Sequence, residues 1–508
     1  MEWKKFNNCL NLAGFASGII WLSKIGSRRH DRLASYSLAR RKGGKALYKK
    51  LKSQFALRGW HGLPYGIMDA KTGQTCFIDA VTFQAVSFCD GKMNLDTPLV
   101  LPAHREAIKK LEDGGVVEEC SPDAELEEWQ KYRRSVGRYA ASAHWSITGR
   151  CNLRCRHCYM SAPQAKYGEL TTADCLRIVD QIAAAGIGQV SLTGGEPLVR
   201  ADFWQLVDAL LARRIVIRQI YTNGLLVTEA LLEGLKSRGI NCAFSLSFDG
   251  CGCHDWMRGL SGAEEAVIAA IRLLRFHGFD VGVETALYTD NLPRMKETYE
   301  LLKSLGVSHW KTSPAMNVGN WQQEQGHYDL PIDVLYAAYL DLIALHQADG
   351  APLDMMLGGF YFGRRGGKEA VIPLIRFDGT DASLRQVLCR SCRINLHIMA
   401  DGKLLPCIPM TGSAVEAEMP SLLETTIAES LAGSRFFDVI DMKLSDVLAN
   451  NPECAACEYR LRCGGGCHAC GMALGESLYS ADPYSCFFFK NGYEQKVKDQ
   501  VALYQQDK

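Results

Sequence analysis

Three closely spaced cysteines follow the apolar segment 143–148. Cys151, Cys155 and Cys158 have Cys-x3-Cys-x2-Cys spacing, and the aromatic residue Tyr159 comes directly after them. Thiolates are the ligands that iron prefers in iron–sulfur clusters, and a four-iron cluster normally takes four of them. The triplet therefore leaves one iron open to a ligand that is not protein. A zinc knuckle is the alternative, but such zinc sites usually have two pairs of ligands.

A second set of cysteines lies in the C-terminal third of the chain. It contains a Gly-x4-Cys segment and a Cys-x2-Cys-x5-Cys-x3-Cys segment, and its members are Cys392, Gly402, Cys407, Cys454, Cys457, Cys463, Cys467 and Cys486. A zinc domain closes at four ligands, and this region offers more. The chain has 20 cysteines, and such close clusters indicate metal ligands rather than disulfides. We therefore expect a reducing, cytoplasmic compartment.

The triplet and the aromatic residue after it resemble the signature of radical S-adenosylmethionine (SAM) enzymes. This resemblance implies that the amino and carboxylate groups of SAM chelate the open iron. One-electron reduction then cleaves SAM to a 5′-deoxyadenosyl radical, which abstracts a hydrogen atom from the substrate. The C-terminal spacing resembles the SPASM extension of radical SAM enzymes that modify peptides and proteins.

The SPASM resemblance implies two auxiliary [4Fe–4S] clusters besides the SAM-binding one, three clusters in all. The implied ligands of the first auxiliary cluster are Cys389, Cys392, Cys407 and Cys467. Those of the second are Cys454, Cys457, Cys463 and Cys486. Only two residues separate Cys389 from Cys392, and Cys470 could substitute for Cys389 as a ligand. If Cys389 does not ligate, the first auxiliary cluster keeps an open iron, which could bind a substrate thiolate.

Several other residues resemble SAM-binding positions of the family. The segment 193–198 follows the second predicted strand, and its two glycines let the backbone approach the amino group of SAM. The guanidinium of Arg258 would hold the SAM carboxylate in a bidentate fork. The residues assigned to SAM by resemblance are Tyr159, Gly194, Gly195, Glu196, Pro197, Asn223, Ser247, Asp249 and Arg258. For Asn223 and Asp249 the alternative is turn formation, because Asn-Gly and Asp-Gly favour turns.

Six strand–helix units carry these motifs between residues 137 and 313. The predicted strands are 144–148, 189–193, 216–221, 242–247, 281–287 and 309–312. The predicted helices are 171–185, 202–212, 229–236, 264–276 and 292–305. Their alternation predicts an α/β fold with a parallel sheet, interpreted as a partial (βα)6 TIM-like barrel of the radical SAM type. The chemistry of such barrels lies at the C-terminal ends of the strands, where the motifs fall.

The pattern of short strands and helices in residues 60–136 predicts a separate small module. Short strands at 65–68 and 75–78 flank a turn at Gly73, and two helices, the second from about 103 to 111, follow them. This order resembles the winged-helix-like elements that bind leader peptides in the maturation of ribosomal peptides. The alternative is a structural cap. A leader peptide would add a strand to the edge of the sheet.

The remaining segments carry less information. Residues 1–59 form a basic extension, with fourteen Lys or Arg up to residue 58 against Glu2 and Asp31. This extension could dock an acidic partner, or it is a solvated arm. Its apolar segment 9–22 is shorter than a membrane span, so we expect no span, and we expect no nucleic-acid partner. Residues 314–388 form a connector, 389–490 the SPASM domain and 491–508 a tail.

The resemblances together predict an enzyme that matures a ribosomally made precursor peptide. The expected product is a thioether or carbon–carbon crosslink, and the expected electron donor is a flavodoxin or ferredoxin. One alternative is a protein dehydrogenase of the sulfatase-maturing kind, and another is a non-catalytic electron-transfer or leader-binding scaffold. No residue of the sequence stands out as the catalytic base.

Overall fold

The computed structural model describes residues 46–503 except 163, 325–329, 368–369 and 476. The chain divides into two compact units between Ser135 and Val136. Most of the predicted basic extension, including the apolar segment 9–22, lies outside the described residues. So do the last residues of the predicted tail. Among the helices of the described part of the chain, none has the length and apolarity needed to cross a membrane.

The first unit contains a four-stranded sheet with the order β4-β3-β2-β6 and a separate pair, β1 and β5. The strands are Lys49–Leu51 (β1), Phe55–Trp60 (β2), Leu63–Asp69 (β3), Thr75–Phe77 (β4), Val117–Glu119 (β5) and Arg133–Arg134 (β6). Helix α1 (Ala80–Ser87) begins at Asp79, whose carboxylate accepts from Thr82 N at 2.7 Å. Helix α2 (Pro102–Asp113) follows, and both helices share one hydrophobic core with β2 and β3.

The predicted hairpin and both predicted helices of this unit overlap observed elements. The predicted boundary at residue 60, however, falls at the end of β2, which pairs antiparallel with β3. Every residue of β2 is buried, and the strand lies between β3 and β6 within the sheet. The sheet therefore begins before the predicted module does, and β1 and β2 belong to this unit rather than to a basic extension. The winged-helix interpretation stays a prediction.

The second unit contains an eleven-stranded sheet with the order β15-β14-β13-β12-β11-β10-β9-β8-β7-β16-β17. Strands β7 to β13 are parallel to one another, and β16 is parallel to β7. The strands β14, β15 and β17 at the ends of the sheet pair antiparallel. The bounds are Ser142–Ser146 (β7), Gln189–Thr193 (β8), Val216–Thr222 (β9), Ala243–Ser247 (β10), Asp280–Leu287 (β11), His309–Pro314 (β12), Asp354–Leu357 (β13), Tyr361–Gly363 (β14), Ala370–Val371 (β15), Asn395–Ile398 (β16) and Leu404–Leu405 (β17). The predicted α/β class with a central parallel sheet is confirmed.

Helices connect these parallel strands. They are Thr172–Ala184 (α3), Phe203–Ala212 (α4), Glu229–Ser237 (α5), His254–Arg258 (α6), Ala263–Phe276 (α7), Met295–Ser304 (α8) and Ile332–Ala348 (α9). In α3 the buried positions Cys175, Ile178, Val179 and Ile182 repeat at helical spacing. This apolar stripe fixes which face of the helix packs on the sheet.

Short helices dominate the C-terminal region. They are Arg390–Ile394 (α10), Ile427–Ser430 (α11), Arg435–Ile440 (α12), Leu444–Asn450 (α13), Pro452–Ala456 (α14), Arg460–Cys463 (α15), His468–Gly475 (α16), Pro483–Lys490 (α17) and Tyr493–Leu503 (α18). Their buried side chains belong to the same hydrophobic core as those of the parallel sheet. The predicted auxiliary region and the barrel are therefore parts of one unit.

Candidate active site

The cysteine triplet lies in the loop after β7, at the C-terminal end of that strand. Backbone N–H groups point at two of its sulfurs: Leu153 N lies 3.4 Å from Cys151 Sγ, and Ala162 N lies 3.4 Å from Cys158 Sγ. The guanidinium of Arg258 lies 3.7 Å from the Cys155 sulfur. Donors in these positions stabilise thiolates, which is the form that binds iron.

Glu196, after β8, is fully buried and holds the neighbouring loop. Its carboxylate accepts hydrogen bonds from Thr222 Oγ1 at 2.9 Å, Asn223 N at 2.8 Å and Leu198 N at 3.1 Å. Burial raises the pKa of Glu196 to about 7, although these three donors oppose the shift. Because its oxygens already have protein partners, Glu196 positions the loops after β8 and β9.

Asp249 and Arg258 form a buried ion pair beside the triplet. Arg258 Nε lies 2.7 Å from Asp249 Oδ2, and Asp249 is fully buried. Burial alone would raise the pKa of Asp249, but the charge of Arg258 and contacts with His254 outweigh it and hold the pKa well below its usual range. The Asp249 backbone N–H also donates to His254 Nδ1 at 3.0 Å. Asp249 thereby orients the arginine that contacts Cys155.

One cavity of about 580 Å³ brings most of the predicted residues together. Those that line it are Cys151, Cys155, Cys158, Tyr159, Gly194, Gly195, Asn223, Ser247, Arg258, Cys392 and Cys407. Glu196, Pro197 and Asp249 are not among the lining residues, because they lie buried behind the loops. Cys392 and Cys407 come from the C-terminal region. The cavity therefore reaches from the triplet to two ligands predicted for the first auxiliary cluster.

The same cavity is lined by polar strand residues that the sequence analysis missed. They are His144, Tyr221, Glu284, Lys311 and His397, from five different strands. Lys311 Nζ lies 3.3 Å from Glu284 Oε2, and the ring of His144 lies 4.6 Å from that of Tyr221. Burial lowers the pKa of His144 to about 4, so its imidazole is neutral at pH 7. Polar residues alternating with buried apolar ones in β7, such as His144 between Ala143 and Trp145, were the available signal.

Thiols predicted for the first auxiliary cluster interact with one another. Cys389 hydrogen-bonds with Cys392, Cys392 with Cys407, and Cys467 with Cys470. Cys392 also interacts electrostatically with Cys467. Five thiols thus meet where a four-iron cluster needs four, so Cys389 and Cys470 both remain candidates for the fourth ligand.

The second predicted ligand set forms a separate group. Cys454 interacts with Cys486 and Cys457, and Cys463 also interacts with Cys486. Within the described residues, no three His, Cys, Asp or Glu side chains converge on a single metal ion. The two predicted ligand groups and Cys470 together make nine thiols, whereas one zinc site takes four ligands.

Buried polar atoms next to the thiols test whether such clusters fit. His157 Nδ1 beside the triplet, and Arg376 Nε and His468 Nδ1 beside the auxiliary thiols, are buried without a hydrogen-bond partner. Such donors are costly to bury unless a ligand accepts from them. The sulfur atoms of an iron–sulfur cluster are acceptors of that kind. The residues present therefore fit the predicted clusters.

Residues 145–302 match the family described as the Radical SAM superfamily. This match includes the loop that carries the cysteine triplet, so the chain contains a radical SAM domain. The chain is therefore an enzyme, and the alternative of a non-catalytic scaffold is set aside.

Two curated relatives illustrate the range of the family. The chain is 27% identical over 356 residues to an AdoMet-dependent heme synthase of Methanosarcina barkeri, which covers 68% of this chain and 95% of that protein. It is 27% identical over 350 residues to a PqqA peptide cyclase of Gluconobacter oxydans, covering 66% and 88%. Streptococcus suis SuiB bound to its precursor peptide SuiA is similar in fold, with a TM-score of 0.63, 14% identity and coverage of 86% and 99%.

Proposed function

We propose that this enzyme matures a ribosomally made precursor peptide by installing a thioether or carbon–carbon crosslink. The observation that carries the proposal is the shared cavity, which Cys155 and Arg258 line together with Cys392 and Cys407. The SAM-binding cluster, with SAM bound, would supply the radical that removes a hydrogen atom from the peptide. The auxiliary clusters would accept the electron that crosslinking leaves over. The chain's own residues orient the substrate between them and exclude water.

Within this cavity, Glu284 is proposed to accept the proton that crosslinking releases. Arg258 and Lys311 are cations. Burial raises the pKa of Tyr221 and Tyr159, so their phenols stay protonated. Burial lowers the pKa of His144 and His397, which makes their imidazoles weaker proton acceptors. The Glu284 side chain keeps 36% of its surface exposed. Its β11 position is in register with Ser247 of β10, which is assigned to SAM. The carboxylate is therefore near the radical source and open to a substrate.

The edge of the first unit's sheet is proposed to bind the leader peptide. Strand β4 lies at that edge. Ile78 N donates to Tyr65 O and Asp69 N donates to Gln74 O, so the intervening residue Thr75 has its N–H directed away from β3. An added strand would accept a hydrogen bond from that group. The likeness of fold to SuiB, which covers 86% of this chain, supports a module of this kind.

Thr75→Pro tests the leader site because it removes this N–H and leaves the ladder to β3 intact. We expect at least a 10-fold weaker affinity for the precursor peptide encoded beside the gene, measured by fluorescence anisotropy. Thr75→Ala keeps the N–H and serves as the matched control. Equal affinity of wild type and Thr75→Pro would place the leader elsewhere.

The function as a whole is tested with anaerobically reconstituted protein, SAM and dithionite. We expect 5′-deoxyadenosine together with a peptide product that has lost two hydrogen atoms, identified by mass spectrometry. Fragmentation distinguishes a crosslink from a dehydrogenated residue, the product of the sulfatase-maturing alternative. Conversion of a haem precursor without any change in the peptide would instead favour the function named for the Methanosarcina relative.

A further inference from the structure

Arg376 joins the two segments that carry the auxiliary ligand sets. Its backbone N–H donates to the carbonyl of Arg462 at 3.1 Å, directly before Cys463. Its side chain donates from Nη1 to the carbonyl of Leu388 at 3.3 Å, directly before Cys389. Cys463 belongs to the second predicted ligand set and Cys389 to the first. One residue thus bridges both sets.

The charge of Arg376 faces three predicted ligand thiols and one carboxylate. Its guanidinium interacts electrostatically with Cys467, Cys389, Asp482 and Cys463. Among the described residues it forms no ion pair within 4.0 Å, and its Nε is buried without a partner. Arginine cannot lose its proton in a protein, so a cation is fixed here.

The carboxylate that interacts with Arg376, Asp482, is held by the loop around it. It accepts from Cys467 N at 3.1 Å, Ser485 Oγ at 2.7 Å and Tyr484 N at 3.0 Å. These bonds hold the ligand segments in place, and Arg376 interacts more strongly with Cys467 and Cys389 than with Asp482. A buried cation needs such a partner, because its desolvation is costly.

We infer that Arg376 sets the reduction potentials of both auxiliary clusters by stabilising their reduced forms. Reduction adds a negative charge to a cluster, and a cation fixed nearby in a medium of low dielectric favours that state. The inference rests on the auxiliary clusters of the proposed function. It implies that both clusters are poised to accept an electron from the cavity that Cys392 and Cys407 border.

The test compares Arg376→Gln with Arg376→Lys and Arg460→Gln in the full-length, anaerobically reconstituted protein. Arg460 is an exposed arginine beside Cys457 and is the matched control. Iron content is measured first, and potentiometric titrations followed by EPR then give the midpoint of each cluster. We expect Arg376→Gln to move both auxiliary midpoints to more negative potential, Arg376→Lys to move them less, and Arg460→Gln to leave them unchanged. The SAM cluster should keep its midpoint throughout.

Two outcomes separate this inference from the proposed function. If the wild-type protein takes up only enough iron for one cluster, it has no auxiliary clusters, and the inference fails together with that part of the proposed function. If the wild-type and Arg376→Gln proteins both take up full iron and have equal midpoint potentials, the inference alone is wrong.

Arg376→His provides a second measurement that holds even if Arg376→Gln takes up iron poorly. Histidine changes its charge near neutral pH. The auxiliary midpoints of this variant should therefore fall with rising pH more steeply than those of the wild type. Equal pH dependence of the two proteins contradicts the inference.

Discussion

Two groups of residues line the cavity and use their polar groups differently. We call the loops that carry the triplet and the SAM-assigned residues the completed wall, and the strand residues such as Glu284 and Lys311 the open wall. Behind the completed wall, Glu196 and Asp249 are fully buried, and other protein groups already occupy their oxygens. On the open wall, Glu284 and Lys311 pair loosely, and each side chain keeps a third or more of its surface exposed. A wall whose polar groups are already hydrogen-bonded within the protein suits a cofactor that is the same in every turnover. A wall whose donors and acceptors are still available suits the part of the site that recognises a particular substrate.

The largest effect is expected from breaking the completed wall. Asp249→Asn leaves the buried Arg258 without its counter-charge, which costs about 3–5 kcal/mol for a pair of this kind. We expect a correspondingly lower denaturant midpoint and weaker SAM-dependent 5′-deoxyadenosine formation. Asp208→Asn is the control, because Asp208 pairs with Arg238 at the surface, where an ion pair contributes about 1 kcal/mol or less. Equal losses in the two variants would contradict the contrast between the walls.

The same pair predicts a pH dependence with a definite sign. The pKa of Asp249 lies lower in the folded protein than its ordinary value of 3.8. The folded state therefore binds fewer protons, and the stabilisation is complete above about pH 5 and disappears as the pH falls below about 4. Glu196 acts in the opposite direction, because its raised pKa of about 7 makes its contribution decline as the pH rises from about 4.5 to about 7.

A smaller and more specific effect is expected on the open wall. Glu284→Gln removes the proposed proton acceptor without changing the size of the side chain, and a general base contributes about 10²–10⁴-fold. We expect crosslinked product to fall by about 10²-fold while 5′-deoxyadenosine formation persists. Glu265→Gln, at an exposed position of α7, is the control. If 5′-deoxyadenosine falls in parallel with product, Glu284 acts on SAM and not on the substrate.

The sequence analysis singled out residues of the completed wall and none of the open one. Cys151 and Gly194 lie in loops and Arg258 ends the short helix α6, and the residue types and spacing of these segments are themselves the signal. Glu284 and His397 form part of the site only because β11 pairs with β10 and β16 pairs with β7. The spacing of residues along the sequence does not reveal which strands pair. The early start of the first unit was missed for a related reason: the apolar strand β2 lies inside a segment dominated by its basic charge.

The smallest effect is expected at a cysteine outside both walls. Cys253 lies near Trp256, Tyr288 and Trp321 in a small aromatic cluster and does not line the cavity. Because Cys253 packs in this cluster and is not part of the triplet or of either auxiliary ligand set, we expect it not to bind iron. Cys253→Ala should therefore retain the iron content and the 5′-deoxyadenosine yield of the wild type, whereas Cys155→Ala should lose both the SAM cluster and the yield. If Cys253→Ala contains less iron than the wild type, the group of aromatic residues around Cys253 also supports a metal site.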